Sequence, residues 1–171
     1  MFPWFFSSSQ QFICHKLHIW ALAESLPLSF KSLQMIENRI ETHGHAIEIV
    51  GDTVELVKRL DEFSFRKVFL VCDTNTYTWC FPLIRSFLQS REWVVETVPA
   101  GDRSKNPSIL QHLWNRLAEE GMVRSDLLVN LGGGMVCDLG GMAAATFHRG
   151  MSFINIPTSL LAMVDASAGG K

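Results

Sequence analysis

Four short clusters, each following an apolar run, hold the side chains of this chain best suited to chemistry. They are Asp73 and Asn75 in CDTN, Gly101, Asp102 and Lys105 in AGDRSK, Gly132, Gly133, Gly134 and Asp138 in LGGGMVCD, and Thr158 and Ser159 in PTS. The glycine run is the most pointed of them. Glycine where a strand meets a helix permits a positive φ and lets the backbone come close to a ligand. The helix start behind it offers unpaired N–H groups to an anion, and a nucleotide pyrophosphate is the natural guest. Taken singly, Asp73 reads as a helix N-cap, Asp102 as a turn residue and the glycines as a tight turn. Taken together, the four clusters outline a nucleotide groove.

Two common phosphate motifs do not fit. A G-x-G-x-x-G fingerprint started at Gly132 needs glycine where Cys137 stands, so the usual dinucleotide signature is absent. A phosphate loop ending in the GGK of Lys171 needs glycine where Asp165 stands.

The elements that must position these clusters alternate in type. HAIEIVG reads as a strand with one wet face, and TVELVKRLDEF as a helix. RKVFLVCD is a continuous apolar run of the kind a strand buried on both faces shows. A helix is predicted from about Thr76 to Ser90, then the strand WVVETVP. NPSILQHLWNRLAEEG sets Ile109, Leu113 and Leu117 at helical spacing, with Gly121 as a stop. SDLLVNLGGG is a strand with its glycine turn, MAAATF a helix, MSFINIP a strand and TSLLAMVDAS a further helix. Such alternation predicts βαβ units in an α/β fold with an open, mostly parallel, Rossmann-like sheet and flanking helices. Ligands on such sheets lie beyond the C-terminal strand ends, and all four clusters fall there.

The 171 residues suffice for one domain with a real core, and the net charge of −2 comes from scattered charges of both signs. Without a basic block, nucleic acid is not an expected partner. Neither is a membrane, because no apolar run is long enough to span one. Cys14, Cys72, Cys80 and Cys137 form no C-x-x-C pair, which points to free thiols and a reducing, cytoplasmic setting. The opening MFPWFFSSSQQFICHKLHIW lacks the early positive charge of a secretory leader and the arginines of an organellar one. Residues 1–43 are expected to be an atypical extension, with Met35 an alternative start and an amphipathic helix over 30–42 the competing reading. Residues 44–171 are expected to form the domain.

Residues 131–171 resemble the central signature of the 3-dehydroquinate synthases, and the upstream DTN and GDRSK occur in that family's order and spacing. The resemblance spans roughly residues 45–171. It implies an NAD- and divalent-metal-dependent sugar-phosphate cyclase of the shikimate pathway, converting 3-deoxy-D-arabino-heptulosonate 7-phosphate to 3-dehydroquinate and phosphate. By the same resemblance, Asp73, Asn75, Asp102 and Lys105 hold the adenosine side of NAD. Gly133, Gly134 and Met135 pass the pyrophosphate, Asp138 sits at the nicotinamide end, and Thr158 and Ser159 line the cofactor. Arg149, Asp165 and Lys171 match substrate-binding, catalytic positions, where Arg and Lys suit phosphate and carboxylate. Asp102 stands where the family usually has Glu, Cys137 for Gly, Ser159 for Thr, Met163 for Gln and Ala166 for Ser.

In the family a helical C-terminal domain supplies one Glu and two His to the metal, zinc or cobalt, and that domain is expected to be missing from these residues. None of the six histidines matches a ligand position; His43 and His45 alternate as a strand pair could, and read as surface residues. The expectation is therefore a cofactor-binding portion, inactive alone, with a homodimer as the family's common state. Two other readings stand beside it: a fragment of a glycerol-dehydrogenase-like oxidoreductase, and a non-catalytic nucleotide-binding module. The run from Arg149 to Lys171 favours the cyclase.

Overall fold

The computed structural model describes residues 10–15, 39–42, 45–50, 53–85 and 92–166. The strands are β1 (Gln10–His15), β2 (Arg39–Thr42), β3 (His45–Val50), β4 (Lys67–Asp73), β5 (Glu92–Val98), β6 (Leu127–Gly132) and β7 (Ser152–Pro157). They form one sheet in the order β2-β3-β1-β7-β6-β4-β5. Every pairing is parallel except that of β2 with β3 at one edge. The helices are α1 (Thr53–Asp61), α2 (Thr74–Trp79), α3 (Phe81–Ile84), α4 (Pro107–Glu119), α5 (Gly134–Thr146) and α6 (Leu160–Val164).

Strand β4 explains the layering. All seven of its residues are buried, and successive side chains of a strand point to opposite faces. Val68, Leu70 and Cys72 join one core with Leu56 and Leu60 of α1 and Phe81 and Ile84 of α3. Phe69 and Val71 join the other with Leu113, Leu117, Val136, Leu139, Ala143 and Ala144 of α4 and α5. A sheet covered on both faces is the doubly wound, Rossmann-like arrangement expected from the apolar strands.

Three elements differ from the sequence reading. The sheet includes β1 and β2, drawn from residues read as an extension: β1 lies between β3 and β7, and Arg39–Thr42 is a strand rather than the end of a helix. The helix expected from Thr76 starts at Thr74 and divides at Cys80, because Pro82 fits only the opening turn of a new helix; residues 86–91 lie outside the described residues. Helix α5 begins at Gly134, immediately after the turn, and not near Met142. Its glycines obscured the helical pattern, since they are poor helix formers in isolation.

The small residues of α5 bring it close to the sheet. A methyl group on Gly140 would overlap the side-chain amide of Asn130, which is fully buried in β6 and donates to Asn155 Oδ1 on β7 at 2.8 Å.

Candidate functional site

The turns after β4, β5, β6 and β7 stand side by side at the C-terminal edge of the sheet. The first is closed by its own side chains. The Asp73 carboxylate accepts from the backbone of Asn75 at 2.8 Å and Thr76 at 3.0 Å, and Thr76 Oγ1 accepts from the Asp73 backbone at 3.0 Å. This is a reciprocal cap on α2, so the N-cap reading of Asp73 holds. Asn75 stands exposed in the first turn of the same helix.

The turn after β5 is shaped by Gly101, whose φ of +102° favours glycine, and by a 3₁₀ turn over Asp102–Ser104. Ser104 Oγ donates to the Pro99 carbonyl at 2.6 Å, and the Ala100 N–H donates to Thr74 Oγ1 at 3.3 Å, tying this turn to α2. Asn106 caps α4 by accepting from the Ile109 N–H at 3.0 Å. Sequence reasoning missed both Thr74 and Asn106, although an Asn directly before the Pro of a helix start was a legible cap signal. Asp102 is exposed. Lys105 Nζ reaches Asp138 Oδ2 at 2.6 Å, and the Asp138 carboxylate, aided by Asp102, raises the Lys105 pKa above its ordinary value.

The turn after β6 is the open one. Gly133 is the N-cap of α5 and provides no side-chain hydrogen bond to it, with φ at −75°. Among the described glycines, positive φ occurs at Gly101, Gly121 and Gly150, so the glycines at 132–134 are not there for left-handed backbone. They are there for space. A Cβ on Gly133 would come 3.4 Å from Ser159 Oγ, and one on Gly134 would come 3.3 Å from the Ala166 methyl. Met135 follows in the first helical turn, half-buried against the core of that face. Cys137 Sγ lies 3.6 Å from the Gly132 carbonyl, and burial pushes its thiol up to about 12. A helix start ordinarily lowers a thiol pKa; here desolvation dominates.

The fourth turn is stitched to the third. The Thr158 N–H donates to the Gly132 carbonyl at 2.9 Å, one residue beyond the last ladder pair, Gly132 with Pro157. Ser159 Oγ caps α6 by accepting from the Ala162 N–H at 3.3 Å. Asp165, partly buried, ends α6 with its N–H on the Leu161 carbonyl at 3.0 Å. The structure therefore brings together Asp73, Asn75, Asp102, Lys105, Gly133, Gly134, Met135, Asp138, Thr158, Ser159 and Asp165 around one sheet edge. It does not bring Arg149 there. That residue follows the C-terminus of α5 and precedes β7, at the opposite end of the sheet, in a left-handed conformation shared with His148. Lys171 and His43 lie outside the described residues. Among the described residues, no three His, Cys, Asp or Glu side chains converge as a metal ion needs, so no step through a metal is assigned to them.

Comparison with known proteins follows the same division. Residues 95–171 match the family model for the 3-dehydroquinate synthase N-terminal region. The 3-dehydroquinate synthase of Parabacteroides distasonis is 46% identical over 117 residues, which is 68% of this chain and 33% of that protein. That of Clostridium acetobutylicum is 42% identical over 143 residues, 81% of this chain and 40% of that protein. The chain thus spans between a third and two fifths of these relatives' length. A solved structure of 2-deoxy-scyllo-inosose synthase, complexed with carbaglucose-6-phosphate, NAD+ and Co2+, has the same fold. It matches at a TM-score of 0.59 and 21% identity, over 64% of this chain and 32% of that one.

Proposed function

We propose that this chain forms the NAD-binding portion of a 3-dehydroquinate synthase, on the match of residues 95–171 to that family's N-terminal model and on the likeness to the relatives named above. One observation carries the reading. Of the four helices that leave β4, β5, β6 and β7, three are capped by a side chain, from Asp73, Asn106 and Ser159. Helix α5 has no such cap, and its opening lies at the glycine turn within the matched region. Its first N–H groups lack intrahelical acceptors and point, with the helix dipole, at any anion placed there.

The residues at this edge fit a dinucleotide. Gly133, Gly134 and Met135 receive the pyrophosphate on their amides, and the gap beside Ser159 and Ala166 is one that a side chain at either glycine would fill. Asn75, Asp102 and Asp73 border the adenosine side, and Thr158, Ser159 and Asp138 the opposite one. NAD, when bound, supplies a hydride acceptor. Asp165 follows on the substrate side, while Arg149 and Lys171 are assigned to substrate by family pattern alone. The complete enzyme acts on 3-deoxy-D-arabino-heptulosonate 7-phosphate in the shikimate pathway, as a homodimer carrying zinc or cobalt on ligands supplied beyond these residues. That a solved relative of the same fold holds NAD+, Co2+ and a sugar-phosphate analogue supports this assignment.

Calorimetric titration with NAD, elemental analysis and a phosphate-release assay test the reading. The expected result is weak NAD binding without zinc or turnover. Absence of NAD binding overturns the cofactor assignment. Stoichiometric zinc, or NAD-dependent phosphate release from the heptulosonate substrate, overturns the division of labour.

A further inference from the structure

We propose that Asn130 and Gly140 lock the register of α5 on β6, which makes Asn130 a positioning residue for the glycine turn; that last step rests on the turn being the cofactor's. Two reciprocal fits carry the inference. A Cβ on Gly132 would stand 2.5 Å from the Val136 Cβ, so a bare strand residue receives a helix side chain. A Cβ on Gly140 would overlap the Asn130 carboxamide, so a bare helix residue receives a strand side chain. Residues 130 and 132 are about 6.6 Å apart on one face of a strand, and residues 136 and 140 about 6 Å apart along a helix. The two spacings match in opposite directions, as a helix running back along its strand requires. Sliding α5 along β6 unseats both fits at once.

The locking side chain is polar within an apolar layer that includes Leu128, Val136, Leu139 and Phe153. Asn130 is fully buried, and its Nδ2 donates at 2.8 Å to Oδ1 of Asn155, its register partner on β7. Anchored in this way, the carboxamide cannot rotate out of the notch at Gly140 as a leucine of similar size could. Its Oδ1 has no hydrogen-bond partner among the described residues. A buried acceptor left unpaired costs stability, a cost that an apolar residue filling the same space avoids. The polar choice gives up stability and gains a fixed position.

A double-mutant cycle on the full chain tests this, with Gly140→Ala, Asn130→Ala and the two together. Each is followed by urea denaturation, near-ultraviolet circular dichroism and calorimetric titration with NAD. Gly140→Ala is expected to lower the urea midpoint and, in protein that is still folded, to weaken NAD binding roughly ten-fold. In the double variant the new methyl enters the space the carboxamide leaves, and NAD affinity returns to within about three-fold of the original. Its midpoint stays below the original, because Asn155 Oδ1 has lost the Asn130 donor. Reduced stability with unchanged NAD affinity in Gly140→Ala overturns the positioning role. If Gly140→Ala does not fold, the double variant is expected to bind NAD more tightly than Asn130→Ala, and equal affinities overturn the proposal. If the unaltered chain binds no NAD, the cofactor reading fails and the lock is read from the midpoints alone. It stands if Gly140→Ala lowers the midpoint far less in the Asn130→Ala background than in the original, and falls if the two shifts are equal.

Discussion

Helices α2 and α5 leave neighbouring strands, at the same sheet edge and in the same direction, yet their openings are built oppositely. Asp73 and Thr76 satisfy each other's backbone at the start of α2. At the start of α5, glycine leaves the equivalent amides without a side-chain cap. The first arrangement stabilises the helix from within. The second leaves the helix incomplete until something external supplies oxygen atoms. An Ncap without a side-chain acceptor lowers helix stability by a few tenths to about 2 kcal/mol, depending on the residue compared. Stability alone therefore favours the α2 solution at both places. The difference assigns the α5 opening to binding and the α2 opening to structure.

The largest effect is expected at Gly134→Val. Its Cβ would already stand 3.3 Å from the Ala166 methyl, and the two added methyls would crowd both that contact and the anion's approach. Overpacking of this kind costs about 1–3 kcal/mol, and NAD binding should fall below detection by calorimetry. Unchanged affinity would reduce the glycine run to a plain turn. A milder change makes α5 resemble α2. At Gly133 the φ of −75° and ψ of −169° suit any residue, so Gly133→Asp can cap the helix without strain. Thermal unfolding should be unchanged or slightly higher. Pyrophosphate affinity should fall at least about ten-fold, because an internal carboxylate then occupies the amides and repels the ligand. Capping without loss of affinity would erase the distinction drawn between the two openings.

How much of this was legible in the sequence follows the same physics. The strands β4, β6 and β7 were readable because burial on both faces leaves runs that are wholly or mostly apolar, such as VFLVC and FINI. The site was readable because its polar residues sit directly where those runs stop. The start of α5 was not, since glycines chosen for close packing against Asn130 and for an open cap disguise a helix. Gln10–His15 was missed as a strand because it carries its pairing in backbone hydrogen bonds to β3 and β7, while its polar opening QQ lacks the apolar signature of a central strand. Asn130, the polar residue inside LLVNLG, was passed over in the sequence; its pairing with Asn155 Oδ1 emerges only from the packing of β6 on β7. Arg149 was placed with the site by motif, and its distance from the other residues became apparent only when the thirteen residues of α5 were laid along the sheet.

A smaller effect is expected where α2 is deprived of its cap. Asp73→Ala removes the acceptor for two amides and should lower stability by about 1 kcal/mol, measurable in urea. Asp73→Asn keeps an acceptor oxygen and should recover most of it. Pyrophosphate affinity should hardly move in either variant, because the change lies at the closed opening. A loss of pyrophosphate affinity as large as that of Gly133→Asp would mean that the two openings act as one site.

The smallest effect is expected away from both openings. Glu62 follows the C-terminus of α1, at the end of the sheet opposite the site, where it accepts from Arg59 at 3.2 Å. Both side chains are substantially exposed, 40% and 62%, so the attraction is screened and competes with the entropy of holding two long chains. Arg59 also has Glu48 within 3.5 Å, a carboxylate whose side chain is only 10% exposed. When Glu62→Gln removes one partner, the guanidinium keeps the better-shielded one. The expected loss is under about 0.5 kcal/mol in stability, with NAD and pyrophosphate titrations superimposable on those of the unaltered chain. A measurable rise in anion affinity on loss of this carboxylate would show that charge anywhere on the molecule tunes binding, and that the contrast between α2 and α5 is not local to their first turns.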